Sequence, residues 1–134
     1  GCLRGVNMSK GDFTFAGARY LPGLVDQFEA DYLLNLETLS DLTKEKLVKH
    51  LARSHVEFTQ IHPFREGNGR ISRLLMDVMV AMAGREPLDY TLFTENQEFY
   101  FKSIQAGATD DYQHIERLIN DTLERSSTSP AEGD

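Results

Sequence analysis

The chain has 134 residues, enough for one domain with a core of its own and no need of staples. Hydrophobic residues at 40% and charged ones at 26% describe an ordinary globule, and a net charge of −7 excludes a general nucleic-acid surface, which needs a basic stripe. Cys2 is the only cysteine, so no internal disulfide can form, and no apolar run reaches the length of a membrane span. With no signal-like segment either, a cytoplasmic protein is the simplest reading, and the opening Gly1-Cys2 reads as a boundary with further protein upstream.

Residues 4 to 21 set short β-prone pieces around Lys10-Gly11-Asp12 and close with Gly17 and Pro22, which reads either as a hairpin or as an irregular arm lying on the helices. From Gly23 to about Leu39, Leu24, Val25, Phe28, Tyr32, Leu36 and Leu39 recur at helical spacing, with a break placed near Asn35. Thr43 is an N-cap, and Leu47, Leu51, Ser54, Phe58 and Ile61 then mark a helix that ends at His62. His50 and His55 ride on that helix. No cysteine or second acid stands at ligand spacing beside them, so they read as structural histidines.

The stretch HPFREGNGRISR, His62 to Arg73, concentrates the chemistry. Pro63 biases His62 away from the α region, so the incoming helix stops and leaves the imidazole at its mouth. Gly67 and Gly69 bracket Asn68 and lack a Cβ, so backbone amides there can approach a ligand closely. An apolar pattern starts at Ile71, which makes Gly67-Asn68-Gly69 the first turn of a new helix, and such a turn suits a phosphate. Arg70 and Arg73 lie one turn apart and can point at the same anion, and Glu66 is placed to hold a divalent cation bridging phosphate oxygens. Arg65 points elsewhere by helical reckoning. Asp77 follows Arg73 at i+4 and either holds its guanidinium or forms an ordinary surface pair.

Ile71, Leu74, Leu75, Val78, Met79 and Met82 predict one apolar face for this helix, with Gly84 as its C-cap and Pro87 blocking continuation. Residues 88 to 94 are expected as loop or short strand. Glu95 to about Gln105 reads as a helix, punctuated by Gly107 to Asp110. A last helix starts near Asp111 with Tyr112, Ile115, Leu118, Ile119 and Leu123 on its apolar face. The domain spans 1–125, and 126–134 is expected to be a disordered tail.

The motif resembles the signature of Fic-domain proteins, H-x-F-x-[D/E]-G-N-G-R-x-x-R, with His62, Phe64, Glu66, Gly67, Asn68, Gly69, Arg70 and Arg73 in its fixed positions. The resemblance extends more loosely from Arg4 to Leu123. It implies an all-α, mostly helical bundle with a small β-hairpin flap near the N-terminus, and transfer of AMP from ATP to a Tyr, Thr or Ser hydroxyl of a target protein. On that reading His62 is the general base, Glu66 binds Mg²⁺, and Asn68 either gives its amide to the α-phosphate or serves as an N-cap. Gly67 and Gly69 form the cradle, Arg70 and Arg73 grip the outer phosphates, and Phe64 anchors the loop in the core. The flap residues Asp12, Phe13, Thr14, Phe15 and Ala16 would offer backbone groups to an incoming peptide.

Many Fic proteins are silenced by a helix bearing [S/T]-x-x-x-E-[G/N], whose glutamate pairs with the motif's second arginine. Here that pattern occurs at Thr91 to Asn96, between two core helices, and reads as a chance match. Inhibition is therefore expected from a separate antitoxin-like protein or from a missing N-terminal inhibitory helix. The alternatives are Fic-type transfer of another phosphate-containing group, or removal of AMP, and, in another class, a non-catalytic partner-binding module of a toxin–antitoxin pair. Relatives that transfer phosphate carry lysine where Gly69 stands, which favours the nucleotidyl reading. The same resemblance leaves open action in the cytoplasm of its own cell or delivery into that of another.

Overall fold

The computed structural model describes residues 2–10 and 13–127, leaving aside the side chains of Phe13 and Ser127. A two-stranded hairpin, β1 (Ser9–Lys10) and β2 (Phe13–Thr14), opens the chain, paired antiparallel with Ser9 opposite Thr14 and Lys10 opposite Phe13. Among the described residues six α-helices follow: α1 (Leu21–Tyr32), α2 (Lys44–Ile61), α3 (Asn68–Met82), α4 (Thr91–Glu95), α5 (Gln97–Ala108) and α6 (Gln113–Ser127). The expected helical bundle with one small hairpin is what forms.

Helix α2 is the spine. Thr43 Oγ1 accepts from the Lys46 N–H at 3.3 Å and Glu45 lies in the first turn, so the helix begins where an orphan donor is capped and negative charge is favoured. From there Leu47, Leu51, Val56, Phe58 and Ile61 are buried, and so are Ser54 and His55, because α1, α3, α5 and α6 all pack around it. Val56 meets α5 at Gly107, where a Cβ would stand 2.8 Å from Val56 Cγ2. Only a residue without a side chain lets these two backbones come so close. Ser54 spends its hydroxyl on the Leu51 carbonyl, and His55 Nε2 pairs with Tyr100 Oη at 2.6 Å. His55 Nδ1 and His50 Nε2 are buried without a hydrogen-bond partner.

Several boundaries and faces differ from the sequence expectation. Helix α1 starts at Leu21, with Pro22 in its first turn, and stops at Tyr32; Leu36–Asp41 then forms a separate 3-10 turn. Helix α3 buries only part of the predicted stripe: Met79 is buried and Ile71 and Leu75 are half-buried against the cluster of Leu21, Phe28, Phe58 and Ile61. Ser72, Met76, Met79 and Val80 face the core, while Leu74, Val78 and Met82 are exposed. The cause is that α3 is apolar almost all round, so period alone does not choose its phase, and Ser72 can be buried because its hydroxyl donates to the Gly69 carbonyl at 2.8 Å. Its end is as expected: Gly84 takes φ 76° and the Arg85 N–H reaches the Val80 carbonyl, closing a Schellman turn.

The segment expected as loop or strand contains α4 instead. Asp89 Oδ1 accepts from the Thr91 N–H and hydroxyl, which caps a first turn that aromatic, β-branched composition concealed. Helix α5 passes through Gly107 and ends only where Asp110 takes φ 68°. The expected tail is corrected at its start: α6 includes Ser126 and Ser127, and the buried Ser126 hydroxyl accepts from the Asp89 N–H and donates to the Thr122 carbonyl. Residues 128–134 lie outside the described residues. No helix among the described residues is long and apolar enough to cross a membrane.

Candidate active site

The site is built where α2 ends and α3 begins. His62 terminates α2 in the left-handed region, φ 47° and ψ 60°, a conformation that costs a residue with a Cβ about 1–2 kcal/mol. Three contacts hold it there. Its N–H closes on the Phe58 carbonyl at 2.9 Å, its carbonyl accepts from Arg4 Nε, and its ring stacks on Phe15 with centroids 3.8 Å apart and planes 7° from parallel. The half-buried imidazole has its pKa pushed below the ordinary histidine value by burial first, then by the cations of Arg4 and Lys10, which favours the neutral ring.

Pro63 to Gly67 carry the chain back into α3. Phe64 is half-buried against the cluster formed by Leu21, Phe28, Phe58 and Ile61. Its peptide is tied to Asn68, whose Oδ1 accepts from the Phe64 N–H at 3.0 Å and whose Nδ2 donates to the Phe64 carbonyl at 2.6 Å. Asn68 is thus buried and closes the loop on itself. It is not the N-cap; that position is Gly67, at φ 81°.

The first hydrogen bond of α3 runs from the Ile71 N–H to the Gly67 carbonyl, so the amides of Asn68, Gly69 and Arg70 precede the helical ladder. Both arginines fold back over this opening. A Cβ on Gly67 would come 3.5 Å from Nη2 of Arg70, and one on Gly69 would come 3.8 Å from Nη1 of Arg73. The guanidinia therefore lie above the same turn whose amides carry partial positive charge, and both side chains are exposed. Asp77 does not hold Arg73: its Oδ1 accepts from Tyr90 Oη at 2.7 Å, and no ion pair joins the two residues. Glu66 and Arg65 are exposed on the loop. Among the described residues no group of three or more potential ligands gathers around a metal position.

His62, Asn68, Gly69 and Arg73 line one cleft of about 540 Å³, within the usual range for a small-molecule site. Lys10 and Phe15 of the hairpin form one wall, and Phe93, Tyr100 and Phe101 the other. Lys10 Nζ lies 4.3 Å from the centroid of the Phe101 ring, so the hairpin touches α5 across the cleft. The flap residues divide. Phe15 and Ala16 use their N–H groups internally, on the Met8 and Gln60 carbonyls, while Phe13 and Thr14 pair with β1; Asp12 lies outside the described residues. Phe15 instead backs the imidazole.

Sequence reasoning missed the roles of Arg4, Lys10 and the α5 wall. The last was signalled by the aromatic run Phe99-Tyr100-Phe101, whereas nothing in the sequence marks Arg4's acceptors, which are main-chain carbonyls.

A family model described as Fic/DOC matches residues 1–80. The protein adenylyltransferase Fic of Aedes aegypti is 35% identical over 79 residues, covering 59% of this chain and 15% of that protein. The protein of the same name from Drosophila virilis is 30% identical over 118 residues, covering 84% of this chain and 23% of its own length. The chain thus spans less than a quarter of these relatives. Among solved structures, the BepC effector of Bartonella tribocorum with bound AMPPNP superposes with a TM-score of 0.72 at 24% identity, covering 89% of this chain and 56% of that one. A Fic-domain signalling protein from Bacteroides thetaiotaomicron gives 0.74 at 22% identity, covering 99% and 56%. Both share the fold.

Proposed function

The chain belongs to the Fic/DOC family, and from that premise we propose that it transfers AMP from ATP to a Tyr, Thr or Ser hydroxyl of a target protein. The hydroxyl oxygen attacks the α-phosphorus, its proton passes to the imidazole of His62, and the bond from that phosphorus to the bridging oxygen breaks, releasing pyrophosphate. The observation that carries this reading is one cleft that holds the imidazole of His62, the opening turn of α3 at Asn68 and Gly69 and the guanidinium of Arg73, with Arg70 folded over the same turn.

Each group has its part. Burial and the neighbouring cations favour the neutral form of His62, the form that can accept the proton. The opening amides of α3 and the arginines folded over them suit a polyphosphate, with charge-assisted bonds stronger than surface pairs. Asn68 acts mainly by fixing the loop, although one of its amide hydrogens is left for an α-phosphate oxygen. Mg²⁺, when bound, would neutralise charge on the phosphates, and Glu66 would hold it: one exposed carboxylate beside the loop fits an ion that keeps waters and phosphate oxygens as its other ligands. The strand Phe13–Thr14 would pair with the target's backbone.

Glu95 supports the reading of Thr91 to Asn96 as a chance match, since its carboxylate lies 3.9 Å from Arg125 rather than on Arg73. Inhibition is assigned to a separate antitoxin-like protein or a preceding helix. ATP and Mg²⁺ favour action in the cytoplasm, of its own or another cell.

The test is intact-mass analysis of the purified chain with ATP and Mg²⁺. Addition of one AMP mass to wild type and none to His62→Ala, with ATP binding kept, is the expected result. ATP bound by both proteins with no nucleotide mass added to either, nor to any protein of a lysate, overturns the proposal.

A further inference from the structure

Among the described residues Arg4 is the most deeply buried of the lysines and arginines, 3% exposed, and its side chain bonds main-chain carbonyls. Three of those acceptors lie where α2 ends. Nη2 donates to the Ile61 carbonyl at 2.9 Å, Nε to the His62 carbonyl, and the Arg4 backbone N–H to the Pro63 carbonyl at 2.8 Å. The reason such donors are needed is local. Beyond the His62 N–H, which closes on the Phe58 carbonyl, the Schellman form of such an end adds a bond from the N–H of the next residue. Here that residue is Pro63, which has none. The last carbonyls of α2 are left open and electronegative, and Arg4 supplies both donors and charge.

The same guanidinium reaches the hairpin. Nη1 donates to the Val6 carbonyl and Nη2 to the Ala16 carbonyl, each at 2.6 Å. Val6 leads into β1 and Ala16 follows β2, so both roots of the flap are fastened to the group that fastens the His62 peptide. We propose that Arg4 is a positioning residue, which locks the imidazole of His62 and the roots of the flap into one fixed relation. This rests on the reading of His62 as general base.

The chemistry asks for arginine in particular. Four side-chain bonds in two directions fit a planar fork of five N–H donors, and an ammonium with three donors on one atom does not span them. Two groups of the site depend on the arrangement. The His62 ring lies flat on Phe15, one residue from Ala16, so loosening either root shifts the plate beneath the base. Arg4 and Lys10 are also the two cations that depress the protonation of His62, so removal of Arg4 lets the imidazole bind a proton more readily. A displacement of about 1 Å at a reacting group is enough to slow chemistry about 10²-fold.

Arg4→Met and Arg4→Lys are compared with wild type by three readouts. These are hydrogen exchange of the Phe15 and Ala16 amides, NMR titration of the His62 imidazole, and the initial rate of self-adenylylation with ATP·Mg²⁺. Expected for Arg4→Met are faster flap exchange, a higher His62 pKa, a rate down about 10²-fold and an ATP affinity within about threefold of wild type, since Arg4 does not line the cleft. Arg4→Lys restores the His62 pKa but neither the flap protection nor the rate. Wild-type flap exchange in folded Arg4→Met, or full rescue by lysine, overturns the proposal. Should Arg4→Met fail to fold, Arg4→Lys decides alone by the same two criteria. Should wild type bind ATP without adenylylating anything, the general-base reading falls, while flap exchange and the His62 titration still judge Arg4.

Discussion

Gly67 and Gly69 stand two residues apart in the same turn, yet alanine is expected to act on them in opposite ways. Gly67 has φ 81°, where a Cβ costs about 1–2 kcal/mol whatever the surrounding space. Gly69 lies inside α3 with an ordinary backbone, and the nearest heavy atom to an added Cβ is Arg73 Nη1 at 3.8 Å, an ordinary contact. Folding therefore gains from Gly69→Ala, by up to about 1 kcal/mol of helix propensity. The new methyl nevertheless stands beside amides that a phosphate must approach. Loss of one charge-assisted hydrogen bond weakens ATP by about 1.5–3 kcal/mol, or about 10- to 100-fold. Denaturant unfolding and calorimetric titration with ATP·Mg²⁺ separate the effects. Gly69→Ala should unfold no earlier than wild type but bind ATP weakly, whereas Gly67→Ala should lose stability. A Gly69→Ala protein that binds ATP like wild type refutes the cradle.

Gly107→Ala is a test of packing alone. The new Cβ would lie 2.8 Å and 3.1 Å from the two methyls of Val56, whose β-branched side chain has a single good rotamer in a helix, so overpacking of about 1–3 kcal/mol outweighs the propensity gain. Thermal unfolding should show a lower Tm, and Val56→Ala in the same chain should recover part of it; a rise in Tm on Gly107→Ala contradicts the contact. Stability should also fall in mild acid through His55. Burial lowers its pKa to about 4 in the folded chain, with Arg73 adding to the shift, against about 6.5 unfolded, so the unfolded state binds the extra proton. That group's contribution is fully present above about pH 6.5 and lost as pH falls towards 4, by about 3 kcal/mol at the limit. Urea unfolding of His55→Gln should show a shallower decline over this range, and an unchanged slope would refute the assignment.

What the sequence made legible was local. Helix α2 announced itself through the Thr43 cap and its apolar spacing, and the α2–α3 corner through Pro63 and the two glycines, because caps, prolines and glycines act on their own backbone. The phase of α3 was not legible, since Leu74 and Val78 are as apolar as Met76 and Val80 and only the neighbours decide which pair is buried. Gly107 read as punctuation because a glycine that ends a helix and one that admits a neighbouring helix look alike in sequence. Ser126 belonged by composition to a polar tail, and its burial follows from a hydrogen bond to Asp89, 37 residues away. The arginines and His62 were named by their spacing, but Phe15 was named only as a flap residue and Arg4 was given no role, because their partners are a ring and carbonyls brought together by the fold.

The central claim is that the opening turn of α3 receives the phosphates of a nucleotide beside His62. Backbone and imidazole NMR during titration with ATP·Mg²⁺ tests it most directly. The amides of Gly67, Gly69 and Arg70 and the ring of His62 should move first and furthest, and Arg73→Ala should abolish those shifts at the same nucleotide concentration. Saturable shifts elsewhere on the chain, with these four signals unmoved, would contradict it.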